Sequence, residues 1–325
     1  MIHIALQEEM GRILPSEQIR YNEPMDRHCS FRTGGPADAL ALVRTEEEMA
    51  SLLKLLRDSG QAYFLLGRGT NLLIGDGGYR GVIVTAAPAP SAEKTQTASA
   101  RSQDLPGDFP LDGICVDGNR ITAGAGATLK AVAMAAMEHG LTGLEFAAGI
   151  PGTVGGGLVM NAGAYGGEMR LTVRTVRLLM PDGSIQEYTA DQMEFGYRTS
   201  LLRRIGAAAL RAQFELTPGD PEKIRARVLE LAEQRRSKQP LEFPSAGSTF
   251  KRPEGYFAGK LIMDAGLAGY SVGGAQVSEK HCGFVINRGG ATSAQIRTLI
   301  SDVQEKVFED SGVRLEREVI FLGEF

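Results

Sequence analysis

The stretch GIPGTVGGGLVMNAGAYGG, residues 149–167, holds eight glycines among nineteen residues. Successive backbone N–H groups in glycine turns form nests that take anions such as a pyrophosphate. Ile150, Val154, Leu158, Val159, Met160 and Tyr165 are interleaved with the glycines, whereas linkers are polar. The stretch therefore reads as buried backbone that must come close to another group. A second such loop, GRGTN at residues 67–71, directly follows an apolar strand pattern. Leu72 stands where a third glycine would complete a dinucleotide-binding βαβ fingerprint, and no G-x-x-x-x-G-K-[ST] loop occurs. From the residues alone, the chemistry is that of a nucleotide or dinucleotide site.

Ser248, in PSAGSTFKRPEG (244–255), raises a separate question. A serine nucleophile needs a partnered base, and no acid or base stands beside this one, which leaves a phosphate ligand or turn chemistry. The cysteines Cys29, Cys115 and Cys282 are odd in number and form no C-x-x-C pair. The histidines His3, His28, His139 and His281 are scattered without ligand spacing. Neither a disulfide framework nor a metal site is expected, and a reducing compartment fits.

The elements that must position these residues follow from local signals. TEEEMASLLKLLRDSG (45–60) is a helix with a Thr cap, an acidic first turn and a closing glycine. AYFLL (62–66) and GVIV (81–84) are short apolar strands. ICVDGNRITAGAGA is a hairpin on Asp117-Gly118, and TLKAVAMAAMEHG (128–140) a helix ending on Gly140. VRTVRLLMPDGSIQEYT turns at Pro181-Asp182-Gly183. DPEKIRARVLELAEQRR (220–236) opens with an Asp cap and a proline and is expected to begin a new domain. SAQIRTLISDVQEKVFEDSG (293–312) is an amphipathic helix, followed by the strand LEREVIFLG. Residues 86–112, rich in Ala, Pro, Ser and Thr, read as a flexible insertion or linker. Helices and hairpins without regular βαβ alternation make the fold α+β.

The chain has 325 residues, room for two or three domains at about 150 residues each. A net charge of −4 supplies no broad basic face, so nucleic acid is not an expected partner. The start lacks a signal-peptide pattern and no long apolar run occurs, so no membrane partner is expected and the location read is cytoplasmic.

Six blocks in order resemble the UDP-N-acetylenolpyruvoylglucosamine reductase family: SFRTGGPADAL (30–40), LLGRGTNLLIGDGGYRGVIV (65–84), GLEFAAGIPGTVGGGLVMNAGAYGGE (143–168), FGYRTS (195–200), KQPLEFPSAGSTFKRPEGYFAGKLI (238–262) and LEREVIFLGE (315–324). The resemblance runs from about residue 20 to the end. It implies a vanillyl-alcohol-oxidase-like FAD-binding fold, with two α+β subdomains and an α+β substrate domain. The implied division is residues 1–84, residues 85–216 with 314–325 returning to them, and a substrate domain at 217–313. Only eleven residues separate Ser248 from Lys260, which resembles the family's second, short-loop class.

The family reduces an enolpyruvyl UDP-sugar to UDP-N-acetylmuramate with NADPH through non-covalently held FAD, for peptidoglycan precursors. By the resemblance, Gly67, Arg68, Gly69, Thr70, Asn71 and Leu72 hold the cofactor's pyrophosphate. Gly149, Ile150, Pro151, Gly152, Thr153, Val154 and Gly155 hold the rest, with Asn161, Ala162 and Gly163 near the flavin ring. Arg198 and Glu318 match the residues that face the substrate carboxylate, and Ser248 matches the proton donor. A bare carboxylate would repel an enolate, so a raised pKa is expected for Glu318. Lys260, Gln276 and Arg235 are expected to meet the UDP-sugar, with Arg235 alternatively touching the cofactor or closing its helix. His281 is expected to be structural and His28 is not expected to bond the flavin. The implied partners are the UDP-sugar and NADPH, with a monomer expected. An FAD-dependent alcohol oxidase of the same superfamily and a non-catalytic nucleotide-binding module stay open as alternatives.

Overall fold

A computed structural model describes residues 2–86 and 109–325. Near the N-terminus a four-stranded sheet runs in the order Ile19–Pro24, Pro36–Val43, Tyr79–Ala86, Tyr63–Leu66. The first pair is antiparallel and the other two are parallel. Helix Glu46–Asp58 connects two of these strands; Thr45 Oγ1 caps it by accepting from the Glu48 N–H at 3.1 Å. Met49, Leu52, Leu53 and Leu56 recur at helical spacing and are all buried.

A second sheet of five antiparallel strands has the order Ile185–Thr189, Val173–Leu179, Ala208–Glu215, Arg120–Gly124, Ile114–Asp117. The Asp117-Gly118 hairpin is present, with Gly118 at φ +59°. Helix Leu129–Glu138 packs against this sheet and is capped by Thr128, whose side chain accepts from the Ala131 N–H. A third sheet joins Ser245–Ser248, Phe284–Asn287, Ala275–Val277 and Ser271–Val272. Helix Ser293–Ser311 covers it, started by a capping box on Thr292 and Gln295. It buries Ile296, Leu299, Ile300, Val303 and Val307, worth roughly 1.5–3 kcal/mol each against leaving them in water. Among the described residues no helix is long and apolar enough to cross a membrane, and no group of His, Cys, Asp and Glu could hold a metal ion.

Several pairings bear on how the segments are organised. The C-terminal strand Ile320–Leu322 pairs in parallel with Leu72–Ile74, so it returns to the first subdomain and not to the second. Residues 217–238 stay with the second: Thr217 and Pro218 pair with Thr142 and Leu141, and helix Pro221–Lys238 packs on the turn Glu145–Gly149. The segment with its own sheet therefore begins after that helix. Its core is shared with the first subdomain, because Phe31, Leu73 and Ile83 fall in one apolar cluster with Val285, Ile296 and Val319. Most of the 86–112 segment lies outside the described residues, but its last residues are not linker-like. Phe109 and Leu111 are buried, and the Leu111 N–H donates to Arg44 O at 2.9 Å.

Candidate active site

The loop Gly67–Asn71 leaves the strand Tyr63–Leu66 and turns under residues 28–30. Gly69 has φ +61°, and a Cβ there would lie 2.1 Å from His28 O, so the position accepts only glycine. The Ser30 N–H donates to Gly69 O at 3.0 Å and fixes the turn. Among the described residues nothing accepts from the amides of Arg68, Gly69 and Thr70. Those N–H groups are a donor set suited to a diphosphate.

The second glycine-rich stretch has a different part. Its amides at Gly152, Val154 and Gly155 are spent on Ile150 O, Ala127 O and Ala125 O at 2.9, 2.8 and 2.7 Å. Thr153 caps helix Val154–Met160, its Oγ1 accepting from the Gly156 N–H at 3.2 Å. A Cβ on Gly67 would sit 2.8 Å from that same Oγ1, so the two stretches face each other without side chains between them. The first loop offers donors, and the second is a wall that lets a flat ligand approach. The arrangement fits a dinucleotide cofactor.

Asn161 ends the helix in the left-handed region at φ +42°, which asparagine tolerates. Its amide donates to Glu168 Oε2 at 2.8 Å and Gly196 O at 3.1 Å, and its Oδ1 accepts from the Arg170 N–H at 3.0 Å. These bonds hold the turn that presents Ala162 and Gly163. Gly163 O in turn accepts from Arg198 Nη1 at 3.2 Å, linking the expected flavin wall to the expected substrate residues. His28 Nε2 lies 2.7 Å from Glu23 Oε1.

Arg198, Ser248 and Glu318, far apart in sequence, line one cleft of about 400 Å³. Arg198 sits in a two-residue turn closed by Gly196 and Thr199, at φ +56°, a region costly for a residue other than glycine. Glu318 is fixed by its backbone: its N–H donates to Thr249 O at 2.9 Å, and its carbonyl accepts from Asn71 Nδ2 at 3.2 Å. A residue of the glycine loop thus touches the strand that carries the glutamate. Arg198 Nε approaches Glu318 Oε1 at 2.9 Å, yet Nε makes no aligned hydrogen bond, so the contact is an ion pair by distance only. Burial pushes the Glu318 carboxyl above its usual range, outweighing the pull of Arg198 and Lys251. Ser248 ends the strand Ser245–Ser248 and is exposed to the cleft.

Lys260 also lines the cleft, on helix Ala258–Asp264, beside the Asp264 carboxylate. Gln276 does not line it; its amide donates to Gly269 O and Ser271 Oγ at 3.1 and 3.2 Å. Arg235 lies beside Gly149 at the end of its helix, where burial lowers its pKa. His281 lines the cleft, but its Nδ1 accepts from the Gly283 N–H at 3.2 Å, its ring packs edge-on against Phe284, and burial lowers its pKa. That fits a structural imidazole. Sequence reasoning passed over Tyr197, Arg252 and Phe257. Tyr197 Oη accepts from the Arg252 N–H at 3.0 Å, and the Arg252 guanidinium lies 4.0 Å over the Phe257 ring. Tyr197 and Phe257 are exposed large aromatics, a signal that only the fold turns into a wall of the cleft.

Residues 239–322 match the family described as UDP-N-acetylenolpyruvoylglucosamine reductase, C-terminal domain, and residues 107–189 match one described as FAD binding domain. A UDP-N-acetylenolpyruvoylglucosamine reductase of Agathobacter rectalis is 49% identical over 315 residues, 96% of each chain. One of Clostridioides difficile is 47% identical over 312 residues, again 96% of each. The crystal structure of UDP-N-acetylenolpyruvylglucosamine reductase from Thermus caldophilus superposes with a TM-score of 0.74 at 32% identity, covering 94% of this chain and 98% of that one. The chain belongs to the UDP-N-acetylenolpyruvoylglucosamine reductase family.

Proposed function

We propose that the chain reduces the enolpyruvyl group of UDP-N-acetylglucosamine enolpyruvate to UDP-N-acetylmuramate, a peptidoglycan precursor, with NADPH as the reductant and FAD as the bound cofactor. The observation that carries this reading is the meeting of Arg198, Ser248 and Glu318 in one cleft, tied to the glycine loop by Asn71. Gly67–Leu72 and Gly149–Gly155, with Ala162 and Gly163, would hold the FAD, which supplies hydride transfer between a nicotinamide and a carbon–carbon double bond.

The chain's own residues account for the rest. Hydride addition to the enolpyruvyl double bond leaves negative charge developing into the carboxylate. Arg198 places a fixed positive charge there, and Glu318, whose carboxyl burial pushes above its usual range, in its protonated form donates a hydrogen bond where a carboxylate would repel. Ser248 delivers the proton to the neighbouring carbon through its Oγ–H; this needs placement and not a base partner. Lys260 is the point charge for a phosphate of the UDP-sugar, and Arg235 a second cation beside the cofactor wall. Cys29, Cys115 and Cys282 are buried and outside any disulfide, which suits a reducing compartment, and the reaction is assigned to the cytoplasm. Steady-state NADPH oxidation by the FAD-loaded protein tests the reading. It should require the enolpyruvyl UDP-sugar, and oxidation at the same rate without it would refute the proposal.

A further inference from the structure

A second hollow, about 620 Å³, shares no residue with the catalytic cleft. It lies between helix Ser293–Ser311 and residues 314–321. Three arginines line it: Arg297 from the helix, Arg314 and Arg317 from the segment that goes on to Glu318. All three are exposed. Each guanidinium lies over an aromatic ring, Arg297 over Phe325 at 5.3 Å, Arg314 over Phe308 at 4.0 Å and Arg317 over Phe321 at 3.5 Å. Such stacking orients a guanidinium without neutralising it. Among the described residues none of the three forms an ion pair. Glu316 is the carboxylate of the lining, and it is paired with Lys251 outside it. The hollow therefore gathers uncompensated, pre-oriented positive charge.

We propose that this hollow is a binding site for a diphosphate group, either free or carried by a nucleotide. Guanidinium forks match phosphate oxygens two at a time, and a hollow lined by three of them is larger than a single phosphate fills. Burial lowers the pKa of Arg317, in keeping with a guanidinium partly withdrawn from water. An occupant would touch the segment that goes on to Glu318, because Arg314, Leu315, Glu316 and Arg317 line the hollow.

Calorimetric titration of the FAD-loaded full chain with inorganic pyrophosphate, phosphate and UDP tests the site. Pyrophosphate should bind the native chain and bind Arg297→Gln and Arg314→Gln about tenfold more weakly for each arginine removed. The same losses should be seen with the catalytic cleft first saturated with the enolpyruvyl UDP-sugar, which separates the two sites. Both arginines are on the surface, and unaltered flavin absorption and unfolding midpoint would show that the variants fold. UDP affinity that falls in the arginine variants along with that of pyrophosphate would indicate a nucleotide-borne diphosphate; UDP affinity that the variants leave unchanged would indicate a free one. The proposal is overturned if pyrophosphate does not bind, if the arginine variants bind it as tightly as the native chain does, or if phosphate binds as tightly as pyrophosphate.

Discussion

At the scale of residues, the candidate site sets a guanidinium against a carboxyl whose burial opposes its ionisation. Arg198 approaches Glu318 at 2.9 Å without an aligned hydrogen bond, and burial raises the glutamate's pKa. The direction fixes a sign. A folded-state pKa above the ordinary value of 4.5 keeps Glu318 protonated to higher pH than a free glutamate, and ionisation comes as pH rises through it. Enolpyruvyl-dependent reoxidation of the reduced enzyme should therefore fall on the alkaline side. Glu318→Gln, which keeps a donor and cannot ionise, should lose that limb in a single-turnover pH series; an unchanged limb would remove Glu318 from the account. Ser248→Ala should leave reduction by NADPH at the native rate while slowing reoxidation by roughly 10²–10⁴-fold, the range of a general acid. Normal reoxidation in stopped flow would remove Ser248 as donor. The role proposed for Ser248 is legible only through the resemblance, because its neighbours carry no base and a proton donor needs none.

At the scale of elements, local signals were the readable part. Thr45 and Asp220 cap the helices that their patterns announced, Thr128 and Thr292 cap two more, and Asp117-Gly118 makes its hairpin. The glycine loops were visible as loops, but their division of labour was not. That depends on which amides find partners across the fold, and only the first loop keeps its donors free among the described residues. Gly69→Ala would drive a Cβ to 2.1 Å from His28 O. The variant is expected to purify without flavin colour, and a full complement of bound FAD would show that the turn is not the cradle. Thr153→Ala removes the cap on Val154–Met160 and should cost about 1 kcal/mol in denaturant unfolding, the usual worth of such a cap.

At the scale of the whole molecule, the pieces hardest to place from sequence are those whose partners are distant in sequence. The strand Ile320–Leu322 is apolar enough for any sheet; its parallel pairing with Leu72–Ile74, some 248 positions away, is decided by the shared core around Leu73 and Val319. Helix Pro221–Lys238 looks like a domain start because its cap is strong, yet only Ile224 and Leu231 are buried, and its docking on Glu145–Gly149 brings Arg235 beside the glycine wall. The same long-range closure brings Arg198, Ser248 and Glu318 together in one cleft. The most direct test of that convergence is an anaerobic absorption measurement on the FAD-loaded chain. One equivalent of NADPH should bleach the oxidised-flavin band, and the enolpyruvyl UDP-sugar should restore it with no oxygen present. A band that stays bleached until oxygen is admitted would contradict the account and point instead to an oxidase.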